Sequence, residues 1–191
     1  MPCSFASEMT PMTAPDTPPA APRGRRAAFA FIGDSGNTTV TGNSAFADGG
    51  GVRNTGQHGG HAILDVFDSV ITDNTAGNSG GGVYNIGIES GIEPGVAVMT
   101  LTDSSITNNG ASTGGGVDNG RSSTLTLTNS IVSSNSASTT GGGIRNSGAL
   151  SSSHSTISGN SAVTWGGGVF CPGGTFTLTS GESSVAPYPS M

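Results

Sequence analysis

Two carboxylates in this chain stand in matching positions. Asp68 lies three residues ahead of Ile71, and Asp103 three residues ahead of Ile106; each isoleucine is followed, three places on, by an asparagine, Asn74 or Asn109. The same place recurs as Asn37, Asn129 and His154. If these segments stack as neighbouring strands, Asp68 and Asp103 come to about 5 Å of each other. That separation suits retaining glycoside hydrolysis or, with further oxygens, calcium. The amides in the same column point the other way, to a position that turns the chain through an Asx geometry. A second group, His58, His61, Glu89 and Glu93, falls in two insertions, residues 55–61 and 86–96. Its residue types can ligate zinc, but the spacing matches no recognised metal motif and fits solvated loops. No nucleophile elbow accompanies His58, His61 or His154, so no catalytic residue is assigned, and neither a metal site nor a cofactor is expected.

These residues need a scaffold, and composition says what kind. The chain has 191 residues, of which 33 are glycine, with only 32% hydrophobic and 9% charged, which argues against a conventional globular core. The net charge is −6, and beyond residue 26 ten acids face three arginines, so a basic nucleic-acid footprint is missing. No run approaches the roughly 20 apolar residues of a membrane span, and residues 1–26, rich in Pro, Ala and Thr, lack the apolar core of a signal peptide and read as a disordered tail. Cys3 and Cys171 stand too far apart, and Cys3 in too unstructured a segment, to suggest a disulfide.

The body is repetitive. A glycine triplet followed by Val or Ile, any residue and Asn occurs at residues 49–54, 80–85, 114–119 and 141–146, with Cys171 replacing the Asn in a fifth copy. Ahead of each triplet come a β-branched residue, two variable positions and Asn, as in Val40 to Asn43 and Ile157 to Asn160, and an alanine two places later. A short strand of period two completes each unit, for example Leu125-Thr126-Leu127-Thr128. Units of 25 to 34 residues without an amphipathic helix predict a solenoid. Its inward rows are then Val/Ile, Ala, Leu and Asn, with residue 171 a buried filler. The outward position inside the glycine motif, Arg53, Tyr84, Asp118, Arg145 and Phe170, is varied enough to read as a solvent face on which Asp118 and Arg145 can pair. Outward Thr-x-Thr pairs such as Thr126 and Thr128 raise ice binding as a further class.

Units such as Ile71-Thr72-Asp73-Asn74 with Ala76, followed by Gly80-Gly81-Gly82-Val83-Tyr84-Asn85, resemble the parallel β-helix repeat proteins of the pectin-lyase-like fold, in particular the repeats of chlamydial polymorphic outer-membrane proteins. The resemblance covers about residues 37–180. It implies an all-β, right-handed parallel β-helix of about five to six coils over residues 27–180, followed by a tail at 181–191. It also implies secretion or surface display, although no signal peptide or translocating barrel is evident. The expected function is a non-catalytic structural or adhesive module meeting a surface glycan or protein partner, with Asp68, Asp103, His58, His61, Glu89 and Glu93 as binding candidates. A polysaccharide lyase or glycoside hydrolase is the competing class.

Overall fold

A computed structural model describes residues 27–32, 38–88, 94–179 and 184–185. Among them there is no helix, and the strands stack in parallel as a β-solenoid of about five turns. Each turn contributes one strand to each of four sheets. The first sheet takes Ala27–Ile32, His61–Phe67, Val96–Thr102, Ser123–Thr128, Ala149–Ser153 and Thr175–Leu178. The second takes Thr38–Thr41, Ser69–Thr72, Ser105–Thr107, Ile131–Ser133, Thr156–Ser158 and Ser184–Val185. The last of these pairs with Thr156 and Ile157, so the solenoid runs past residue 180. The third sheet carries the alanine marker and the fourth the residues that follow the glycine triplet.

The register follows the repeat, since parallel pairing sets like residues side by side: Leu101 beside Leu127, Ile71 beside Ile106, Val83 beside Val117. Alternation along each strand then sends one row inward. Leu64, Met99, Leu125 and Leu150 form one such row, and Val66, Leu101 and Leu127 another, all buried. Full burial of each such side chain is worth about 1.5–3 kcal/mol. Ser152 continues the second row where its neighbours have leucine; its buried hydroxyl has no hydrogen-bond partner.

Asparagine ladders close the interior where the chain turns. Nδ2 of Asn43, Asn74, Asn109 and Asn135 each donates to Oδ1 of the next asparagine in the column at 2.9–3.0 Å. The backbone N–H of the same four residues donates to the same oxygen. A second column, Asn54, Asn85, Asn119 and Asn146, is joined at 2.7–2.8 Å. From Asn74 onward in the first column and throughout the second, Nδ2 also reaches a main-chain carbonyl, as from Asn109 to Ile71 at 3.0 Å and from Asn85 to Thr124 at 3.0 Å. Both donors are thereby satisfied, as burial requires.

A serine column, not singled out from sequence, does the same at another corner. Ser69, Ser104 and Ser130 each donate a backbone N–H to the hydroxyl of the next serine, and the hydroxyls of Ser104, Ser130 and Ser155 donate to the carbonyl two residues back. Its sequence signal is a serine directly after Asp68, Asp103, Asn129 and His154.

Candidate functional site

The acid column sits on the corner between the first and second sheets. Asp68, Asp103, Asn129 and His154 have φ of 43°, 50°, 49° and 49°, the left-handed region. The main chain of each is tied to the next coil, with the N–H of Asp68, Asp103 and Asn129 donating to the carbonyls of Thr102, Thr128 and Ser153. Asp and Asn tolerate this conformation because a short polar side chain can bond locally. Asn37 lies outside the described residues. The two carboxylates are exposed at the rim of a shallow groove of about 450 Å³, lined also by Ser69, Val70, Ser104, Ser105, Asn129 and Ile131. Among the described residues no three His, Cys, Asp or Glu side chains gather to hold a metal.

Two more corners use the same device. Gly42, Asp73, Asn108, Ser134 and Gly159 form a left-handed column directly before the first asparagine ladder, and Gly49, Gly80, Gly114, Gly141 and Gly166 form another at the head of each triplet. The former is filled only by Gly, Asp, Asn and Ser, a turn signature that was present in the sequence but passed over as variable.

The central coil shows why the triplet needs glycine throughout. Gly114 has φ +59°, a Cβ on Gly115 would run into the carbonyl oxygens of Ser136 and Gly142, and one on Gly116 would lie 2.9 Å from Nδ2 of Asn135.

The fourth corner carries the insertions. Gln57 to Gly60 closes a turn through Gly60 N–H to Gln57 O at 2.8 Å, with positive φ at His58 and Gly59. His58 is exposed, whereas His61 is half-buried at the head of a strand. The base of the second insertion joins this turn through Ile88 N–H to Gly56 O at 2.8 Å and Val96 N–H to Gly60 O at 3.0 Å. The two insertions therefore adjoin on successive coils as their positions implied. Glu89 and Glu93 lie outside the described residues, so only the histidine half of that group is located.

At the outward position inside the glycine motif the expected Asp118–Arg145 pair forms, but the position is not a solvent face throughout. The left-handed first glycine bends the chain back so that the residue before it faces the residue five places on. Thr113 Oγ1 donates to Asp118 Oδ2 at 3.1 Å, and Trp165 stacks on Phe170 with ring centroids 6.1 Å apart. The position is therefore covered unevenly: Arg53 is exposed, Tyr84, Arg145 and Phe170 are half-buried, and Asp118 is buried at 1% exposure. Burial raises its carboxyl above the ordinary aspartate range, against the pull of Arg145, whose Nη1 donates to Oδ1 at 3.1 Å. The Arg53 guanidinium lies 5.4 Å from the centre of the Tyr84 ring. Burial raises the Tyr84 hydroxyl, with help from Asp48 and Asp118 and opposed by Arg53 and Arg145.

Cys171 also departs from expectation. It is exposed and free rather than buried, and it ends the second asparagine ladder by lying 3.8 Å from Asn146 Nδ2. Among the described residues no further coil stacks on this point of the ladder. Cys3 lies outside the described residues.

Taken together, these features define a parallel β-solenoid whose most suggestive polar column shapes a corner. Residues 68–86 and 154–172 match the Chlamydia polymorphic membrane protein repeat. Two segments of the chain are thus similar to this repeat, and each spans the second sheet, the third sheet and all three left-handed corners just described. No curated protein and no solved structure matches the chain.

Proposed function

We propose that this chain is a non-catalytic repeat module of a bacterial surface protein, a rigid spacer whose corners and grooves meet a glycan or protein partner. The observation that carries the reading is the φ of the acid column: Asp68 and Asp103 take the same left-handed place as Asn129 and His154, so the position answers to turning and not to a carboxylate pair. The matched repeat bears the name of a membrane protein, which supports display at the surface. No helix among the described residues is long and apolar enough to cross a membrane. Fold alone does not decide between binding and catalysis on such a scaffold. The test is to incubate the purified chain with a panel of soluble and insoluble polysaccharides and with intact cells, measuring both retention and released sugars. Retention without release is expected. Release of reducing or unsaturated ends would make it an enzyme.

A further inference from the structure

Of all the asparagines in the chain, only Asn109 and Asn119 are followed by glycine, Gly110 and Gly120. Every other member of the two ladders precedes Ser, Thr or Ile, as in Asn74-Thr75, Asn85-Ile86 and Asn135-Ser136. Both Asn–Gly pairs fall in the central coil, built from Val96–Thr102, Ser105–Thr107, Gly110–Thr113 and Val117–Asn119, and in all four sheets that coil has a neighbour on each side. In water an Asn–Gly pair is the most reactive setting for a side-chain amide. Glycine has no Cβ to shield its nitrogen or to restrict its backbone, so the nitrogen reaches the asparagine Cγ. The N–Cγ bond forms, the Cγ–Nδ2 bond breaks, and the glycine amide proton leaves with the amide nitrogen as ammonia. Water then opens the cyclic imide at either carbonyl, giving aspartate or isoaspartate.

The fold closes both pairs to this reaction. The Gly110 N–H donates to the Asn74 carbonyl at 2.9 Å and the Gly120 N–H to the Asn85 carbonyl at 2.8 Å, so each nucleophile is held by the preceding coil. Nδ2 of Asn109 donates to the carbonyls of Ile71 and Thr107 and to Asn135 Oδ1, and Nδ2 of Asn119 to Asn146 Oδ1 and the Ala149 carbonyl. The two side chains are 1% and 0% exposed, which keeps water from them. Nor does the product fit. A carboxylate at 109 has no N–H for Asn135 Oδ1 or the Ile71 carbonyl and sets a buried anion against those oxygens, and a carboxylate at 119 does the same to Asn146 Oδ1 and the Ala149 carbonyl. Isoaspartate also lengthens the main chain inside a parallel ladder.

We infer that Asn109 and Asn119 are modification sites sealed by the fold, at which opening of the central coil is turned into a permanent covalent change. In the stacked chain neither pair reacts. In an opened chain both lose ammonia, the altered ladders no longer close, and the loss of structure becomes one-way. Their place in the fold sets the threshold: fraying of the first or last coil leaves the central one shut, so only a deeper opening is recorded. The inference does not depend on what the surface binds.

The full chain is to be incubated at mildly alkaline pH, once folded and once in guanidinium chloride. Peptides spanning the two pairs are followed by mass spectrometry, with isoaspartate identified by enzymatic methylation. In denaturant both sites should convert ahead of the other ladder asparagines. In the folded chain, which reacts only through opened molecules, they should be slower by at least about 100-fold. After dilution from denaturant, the fraction that regains the β circular-dichroism spectrum should fall in step with conversion. Gly110→Ala isolates one site: a Cβ there meets nothing nearer than Ser136 Oγ at 3.5 Å, an ordinary contact, so the variant should fold, resist conversion at Asn109 in denaturant and keep that at Asn119. Asn109→Asp carries the product and should melt below the wild type. Equal conversion rates in the folded and denatured chains overturn the inference, as does full refolding of a chain converted at both sites. An Asn109→Asp variant that melts with the wild type, or undiminished conversion at Asn109 in Gly110→Ala, overturns it as well.

Discussion

Replacing Asn109 with alanine tests whether the asparagines act as a ladder or as separate turn residues. Asn109 is buried at 1% exposure, and its Oδ1 accepts both the backbone N–H and Nδ2 of Asn74. Its own Nδ2 donates to Asn135 and to the Ile71 carbonyl. Truncation strands two donors on Asn74 and one acceptor on Ile71. Each unsatisfied buried group costs about 1–3 kcal/mol, so with partial relaxation the loss should be about 3–6 kcal/mol. Asn43, at the start of the column and half-buried, donates to Asn74 and has no such pair of donors aimed at it among the described residues. Asn43→Ala should therefore cost only about 1 kcal/mol. Urea unfolding followed by two probes measures both, since repeat arrays can unfold in more than one step. Hydrogen exchange at the Asn74 amide should accelerate in the Asn109 variant. Equal costs at the two positions, or less than about 1 kcal/mol at Asn109, would refute the ladder.

Gly115→Ala places a Cβ against two backbone carbonyls and should cost about 3 kcal/mol or more, whereas Gly42→Ala meets nothing within 4 Å and pays only for φ +68°, about 1–2 kcal/mol; paired urea midpoints distinguish them. Ser152→Ala removes a buried hydroxyl that lacks a partner and should stabilise the chain by about 1–3 kcal/mol, read as a rise in melting temperature. Asp118, raised by burial, binds its proton more tightly in the folded state. Its contribution is therefore full below the unfolded aspartate range and is lost as pH climbs through the raised folded value. Stability measured across that window should fall with pH in the wild type and fall less in Asp118→Asn; an unchanged slope would contradict the burial argument.

What was legible in the sequence was whatever repeats with one chemical reason behind it. The glycine triplets, the asparagines and the leucine, valine and isoleucine rows each serve a single demand of stacking, and the structure places them as that demand requires. The burial of Asp118 at the outward position was not legible. Arg53, Tyr84, Asp118, Arg145 and Phe170 share no chemistry, and period-two alternation assigns them outward. The left-handed glycine before them folds the chain over that outward side, which buries Asp118 and half-buries Tyr84. The corner column before the first ladder escaped for a related reason, as Gly, Asp, Asn and Ser look unlike until φ unites them. Cys171 was misplaced because its column is interior at Asn54, Asn85, Asn119 and Asn146, and the pattern of those coils was extended to a coil where the side chain is exposed.

The acid column decides the account most directly. In the double variant Asp68→Asn with Asp103→Asn, both corners keep a residue that tolerates positive φ, as Asn129 already does in the next coil. Product release from a polysaccharide panel and the unfolding free energy are to be measured beside the wild type. The account predicts no release from either protein and stabilities equal to within about 0.5 kcal/mol. Release by the wild type that disappears in the variant would contradict it.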